Sequence, residues 1–213
     1  MKIAIVDYGC GNLHSVMRAV NHAADGLDAS VVISANPEEI RAADRLIWPG
    51  QGAMPDCMAN VQANGGALRD ALEARLAAGV PILGICIGLQ LLMDFSEEGH
   101  IAGMGILPGR VKRFPSGMSD ASGRLKVPQM GWNRVRQTAH PLWKGIPDLS
   151  WFYFVHSYYV DCQDAPIVAG RTEYGLTFAS ALAKDNIFAT QFHPEKSARC
   201  GLQLFRNFLT WTP

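Results

Sequence analysis

The stretch that decides the fold is residues 80–94, VPILGICIGLQLLMD. Residues 81–85 form an apolar run of the length of a buried strand, and residues 89–93 read as helix. Between them, Gly84-Ile85-Cys86-Ile87-Gly88 sets a glycine two residues before and two after a cysteine. That is the spacing of a nucleophile elbow, with cysteine in place of serine. In so sharp a turn, side chains at the flanking positions collide with neighbouring backbone, which favours glycine there. The turn is predicted to lift the Cys86 sulfur above the sheet edge, at the N-terminus of the next helix. The partial positive charge at that end favours thiolate over thiol. The competing reading is a packing cysteine, because free cysteine is among the most buried residue types.

Working outward, the N-terminal half alternates strand and helix. Residues 2–6 read as a strand, 13–23 as a helix and 30–33 as a second strand. Asn36 is placed to cap a helix that Pro37 opens, with Glu38 and Glu39 in its first turn. A third strand, 45–48, is expected to end at Pro49, followed by helices at 54–63 and 67–78. The glycines of Pro49-Gly50-Gln51-Gly52 follow that strand, where they allow a ligand to approach the backbone closely. The loop Gly9-x-Gly11 lacks the third glycine of a dinucleotide fingerprint and the lysine of a P-loop, so it reads as a tight turn.

The second half differs. Residues 106–126 are rich in Gly, Pro and Ser, with short extended pieces. Strands at 151–155, 167–171, 178–183 and 187–191 are separated by short loops, which suggests antiparallel pairing, and a helix at 202–209 follows. The predicted fold is α/β: a mostly parallel central sheet covered by helices on both faces, with an additional antiparallel β portion in the C-terminal half, all in one domain, 1–213.

Composition narrows the function. The chain of 213 residues is 48% hydrophobic and 18% charged, with a formal net charge of zero and no dense Lys/Arg run. That argues against nucleic acid or an anionic membrane as the main partner. Five cysteines, an odd number without a C-x-x-C, suggest neither a disulfide framework nor a zinc site, and point to a reducing cytoplasm. The N-terminus reads as a strand rather than a signal peptide, and the longest apolar segment is too short to span a bilayer. No metal or cofactor is expected.

A thiolate nucleophile needs a base, and the base needs an orienting group. Of six histidines, His14, His22, His100 and His140 read as surface residues. His156 and His193 each follow an apolar strand. His193 has Glu195 two residues on, with Pro194 stiffening the backbone between them, so Glu195 is predicted to turn back and hold the imidazole while the ring faces Cys86. Gln129-Met130-Gly131-Trp132-Asn133 sets large apolar groups in a polar segment, which suits either core or a docking surface.

These motifs together resemble the class I (triad) glutamine amidotransferases, through Pro49-Gly50-Gln51-Gly52, Gly84-Ile85-Cys86-Ile87-Gly88-Leu89-Gln90 and His193-Pro194-Glu195. Within that family the chain is most similar to glutaminases that serve a separate cyclase in histidine biosynthesis. The closer match is carried by Asp7-Tyr8-Gly9-x-Gly11-Asn12-Leu13, Pro128-Gln129-Met130-Gly131-Trp132-Asn133, Phe152-Tyr153-Phe154-Val155-His156-Ser157-Tyr158 and Gln191-Phe192-His193-Pro194-Glu195-Lys196-Ser197. Cys10 and Ile87 depart slightly from the family pattern.

The resemblance implies that Cys86 attacks the glutamine amide while His193, helped by Glu195, moves protons. It implies backbone donors near Gly50, Gly52 and Ile87 for the oxyanion, and Gln90, Ser157 and Tyr158 for holding glutamine. It implies a cyclase subunit with a (β/α)8 barrel as partner in a heterodimer, docking near Asn12, Met130, Trp132, Asn133 and Lys196. A stand-alone γ-glutamyl hydrolase, the glutaminase of another pathway and a non-catalytic scaffold remain open as alternatives on the sequence alone.

Overall fold

The computed structural model describes residues 1–120, 123–162 and 165–213. The N-terminal half is β1 (Lys2–Val6), α1 (Leu13–Ala23), β2 (Ser30–Ser34), α2 (Pro37–Arg41), β3 (Arg45–Gly50), α3 (Met54–Gln62), α4 (Ala67–Ala77), β4 (Ile82–Cys86) and α5 (Ile87–Leu91). The strands pair in parallel in the order β2-β1-β3-β4. Right-handed crossovers then set α1 on one face and α2 to α4 on the other, because the chain reverses its direction of travel across the sheet after β2. α1 packs with α6 (Ala198–Thr210), whereas α2 and α3 pack with α4. Asn36 caps α2 as expected, accepting from Glu38 N.

β1, β3 and β4 are buried on both faces, which is why they read as continuous apolar runs. Two boundaries differ from expectation. β3 does not stop at Trp48 but continues through Pro49 and Gly50, which lie opposite Ile85 and Cys86 of β4. Its pairing with β1 ends at Ile47, so the missing N–H of Pro49 breaks no ladder on that side, and the Pro49 carbonyl accepts from the Tyr8 hydroxyl at 2.9 Å. The helix after the elbow starts at Ile87, directly after Cys86, rather than at residue 89.

The second half adds β5 (Phe95–Ser96), β6 (Ile101–Ala102), β7 (Arg110–Arg113), β8 (Ser119–Asp120), β9 (Gly123–Arg124), β10 (Gln129–Arg134), β11 (Arg136–Gln137), β12 (Trp151–His156), β13 (Tyr158–Asp161), β14 (Val168–Glu173), β15 (Thr177–Lys184) and β16 (Ile187–Thr190). Ala121 and Ser122, within the stretch expected to hold short extended pieces, lie outside the described residues. β14 and β15 pair antiparallel, as expected. β16 belongs to both parts: it runs antiparallel to β15 and parallel to β4, inserting Ile187–Thr190 beside Ile82–Ile85. β10 and β12 form a separate antiparallel ribbon. His140 is not a surface residue: it is half-buried, its ring 4.9 Å from that of Phe188, and it accepts from Leu142 N. Among the described residues no helix is long and apolar enough to cross a membrane.

Candidate active site

Cys86 ends β4 with φ 55° and ψ −104°, a conformation costly for a residue with a side chain. Its surroundings enforce it. A Cβ on Gly88 would run into the carbonyl oxygen of Trp48. One on Gly50 would meet the Tyr8 hydroxyl and lie 2.7 Å from Ile87 Cβ. The elbow therefore closes only with glycine at these points. Cys86 is the N-cap of α5 and provides no side-chain cap, so the first amides of α5 stay open beside the sulfur.

β16 carries the chain back to this point. His193 follows it, and Pro194–Lys196 form a tight 3-10 turn. The backbone here is pinned: His193 N donates to Tyr153 O at 2.9 Å, and Ser197 Oγ donates to His193 O at 2.6 Å. The turn brings Glu195 Oε1 to 2.8 Å from His193 Nδ1, with both side chains 2% exposed. Burial on its own pushes the imidazole pKa down. The facing Cys86 sulfur and then the Glu195 carboxylate outweigh it and hold the pKa at about 10. The ring is thus an imidazolium at neutral pH, between a sulfur and a carboxylate. Gln191, fully buried, donates from Nε2 to Cys86 Sγ at 3.6 Å.

Above the sulfur lies a cavity of about 360 Å³, lined by Cys86, Gly52, Ile87, Gln90, Ser157, Tyr158 and Lys196 from the sequence reading. That volume suits a single amino acid. Gly50 lies behind it in β3, and His193 and Glu195 sit beneath Cys86 rather than in the wall. Sequence reasoning gave no role to Gln51, Glu98, Pro128 and Val155, which also line it. Glu98 reaches α3 from a distant loop, accepting from Met54 N at 2.9 Å, a cap that no local pattern announces. The Gln51 carbonyl faces Cys57 Sγ at 3.9 Å.

His156, the other candidate base, is a wall residue with its ring fixed between Tyr158 O at 2.8 Å and Gln129 Oε1 at 3.0 Å. Burial dominates over the Tyr158 hydrogen bond and lowers its pKa to about 4. It is neutral at physiological pH, so it donates from Nδ1 to the Tyr158 carbonyl and accepts at Nε2, where the Gln129 amide must present its NH2 group. Tyr8, whose phenol burial and then the neighbouring Cys57 hold well above its ordinary pKa, stays protonated as a donor. Among the described residues no group of His, Cys, Asp and Glu has the arrangement of a metal site.

The expected docking residues fall into two sets. Met130 and Trp132 lie on the outer face of the ribbon, 65% and 49% exposed, so neither belongs to the core. Lys196 reaches over Tyr153 of the same ribbon, 5.9 Å from the ring centroid, and also lines the cavity. Asn133 alternates to the other face of β10 and donates to Glu173 O, and Asn12 caps α1 by accepting from Ser15 N.

A cysteine on a strained elbow, backed by a buried histidine–glutamate pair and opening on an amino-acid-sized cavity, is the equipment of an amide-cleaving thiol enzyme. The family model for class-I glutamine amidotransferases matches residues 4–211, and the chain belongs to that family. Among curated relatives, the HisH subunit of imidazole glycerol phosphate synthase from Nitrosospira multiformis is 56% identical, over 99% of this chain and 98% of its own. The corresponding subunit from Dechloromonas aromatica is 54% identical, over 99% and 97%. Solved structures share the fold at lower identity. A glutamine amidotransferase matches with a TM-score of 0.70 at 19% identity, over 97% of this chain and 96% of its own. The glutaminase domain of Trypanosoma brucei CTPS with bound acivicin matches with a TM-score of 0.66 at 16% identity, over 100% and 95%.

Proposed function

We propose that this chain is the glutaminase subunit of an imidazole glycerol phosphate synthase, a cytoplasmic enzyme of histidine biosynthesis, and that residues 1–213 act as one amidotransferase unit. The observation that carries the reading is the buried His193–Glu195 pair, whose imidazole faces Cys86 at the cavity. The extent and identity of the HisH relatives support the pathway.

In the mechanism, the Cys86 thiolate attacks the side-chain amide carbon of glutamine. The carbonyl electron pair moves onto oxygen, where backbone N–H groups at Ile87 and in the loop Gly50–Gly52 stabilise it; one such donor is worth about 3 kcal/mol. Collapse breaks the C–N bond, and His193 gives its proton to the departing nitrogen, releasing ammonia. Water then attacks the thioester, neutral His193 takes its proton, and the thiolate leaves as glutamate forms. Glu195 keeps Nδ1 protonated and the ring in place throughout. Gln90, Ser157 and Tyr158 hold the substrate. A peptide rearrangement in the loop Gly50–Gly52 completes the oxyanion site, which keeps turnover low until the partner is loaded.

Ammonia protonated in water has no lone pair and is no nucleophile, so the product is best delivered under cover. The exposed Met130 and Trp132, bordering the cavity through Tyr153 and Lys196, suit a docking partner that caps the mouth. The partner is a cyclase subunit with a (β/α)8 barrel, forming a heterodimer with an internal ammonia channel, and the lyase step takes place on it. Asn12 and Asn133 support this face by fixing α1 and β10.

The test is glutamate release from glutamine by the chain alone and with the cyclase subunit plus its nucleotide substrate. A sharp rise only with the loaded partner, lost in Cys86→Ala, is expected. Equal release under both conditions points instead to a stand-alone hydrolase.

A further inference from the structure

The amide of Gln191 is fully buried and has a partner at each end. Its Nε2 donates to Cys86 Sγ at 3.6 Å, and its Oε1 accepts from Gln90 Nε2 at 3.1 Å. Gln90 Nε2 also donates to the backbone carbonyl of Tyr158 at 3.2 Å. A carbonyl can only accept, so Gln90 must present its NH2 group to Tyr158. The second hydrogen of that NH2 group then fixes Gln191 with its oxygen toward Gln90 and its own NH2 toward the sulfur. The order runs one way from the Tyr158 carbonyl to Cys86, and reversing either amide sets two acceptors or two donors face to face. The same order leaves Gln90 Oε1 buried, without a partner, in a residue that lines the cavity.

We infer that Gln191 is a further catalytic residue of this site: it donates a hydrogen bond to the Cys86 thiolate, and Gln90 holds its amide in that orientation. A hydrogen bond to the charged form of a group favours that form, and the low-dielectric surroundings strengthen it. Gln191 cannot drift, because its own backbone N–H is bonded to Ser180 O of β15 at 2.9 Å. The ionisable groups around the sulfur are His193 after β16, Tyr8 after β1, and His156, Tyr158, Glu98 and Lys196 in the cavity wall. None of them is altered by replacing Gln191. This inference rests on the amidotransferase reading of Cys86.

The experiment measures alkylation of Cys86 by iodoacetamide across pH, mapped by mass spectrometry, in the full chain alone and with the cyclase subunit. Only the thiolate reacts. Gln191→Leu is expected to slow alkylation at neutral pH about tenfold, equivalent to about 1.4 kcal/mol, with the rate recovered at higher pH. Gln191→Glu keeps the length and the acceptor toward Gln90 but sets an oxygen against the sulfur, so its profile is expected to move further in the same direction. That isosteric variant decides the matter where Gln191→Leu does not fold. A lowered melting temperature with an unmoved pH profile in either folded variant overturns the inference, because a purely structural role leaves the thiolate alone. Glutamate release separates the two levels. If the wild-type complex releases none, the amidotransferase reading fails; if it does and the Gln191 profiles coincide with wild type, only the role of Gln191 fails.

Discussion

The cavity has two unlike walls. One is the carboxyl edge of the parallel sheet, where β3, β4 and the elbow are buried and glycines meet backbone without clearance. The other comes from the β10–β12 ribbon, whose outer face leaves Met130, Trp132 and Trp151 in solvent. The first wall holds a strained nucleophile, and strain persists only where packing over-determines it. The second wall presents its large apolar side chains to solvent. The proposed chemistry thus falls on the rigid side and the proposed docking on the open side.

The sharpest way to break this contrast is with paired substitutions. Gly88→Ala is expected to cost about 4 kcal/mol or more in urea unfolding, because the new methyl meets the Trp48 carbonyl oxygen. Gly131→Ala in the ribbon has open space around it and only a φ of +140° to strain, so about 1 kcal/mol is expected. Similar losses at both positions would refute the division. Phe192→Ala, beneath the catalytic turn and 4.2 Å ring to ring from Phe152, is expected to lose about 4 kcal/mol.

Next in size is acid sensitivity. His156 titrates at about 4 when folded and at its ordinary 6.5 when unfolded. Between these values the unfolded chain binds more protons, so stability falls as pH drops from 6.5 to about 4, by about 3 kcal/mol in all. His193 adds nothing in that window, being protonated in both states below 6.5. His156→Gln should remove this part of the acid loss, measured as the difference in unfolding free energy between pH 7 and pH 4. The smallest effect belongs to the open wall. Trp132→Ala should leave stability within about 0.5 kcal/mol while weakening cyclase binding by about 2 kcal/mol, read by titration calorimetry.

What was legible in the sequence follows the same division. The parallel half could be read because each of its signals is local: β1 and α1 appear with the expected bounds, and Asn36 caps its helix from one residue away. The elbow and the His193–Glu195 pair were legible for the same reason, since their partners lie two residues apart. Pro49 misled because its place in β3 depends on Tyr8 and on β4, both distant in sequence. His140 misled because its ring is covered by Phe188 and Trp211. Gln191 stood in a quoted motif without a role, since its meaning comes from Cys86 and Gln90 across the sheet. Asn133 carries its side chain to the opposite face of β10 from Trp132 and donates to Glu173 O, because successive strand residues face opposite ways.

β16 has one more consequence. It is the only strand of the described sheet that lies between β4 and β15, running with one neighbour and against the other. It works as the splice between two ropes: any sliding of the antiparallel part against the parallel part must pass through its four residues. His193 follows the end of that splice, its backbone tied to Tyr153 and Ser197. Because β16 is paired along both edges, the chain that leads to His193 and the strand that ends at Cys86 are kept in one register across the seam.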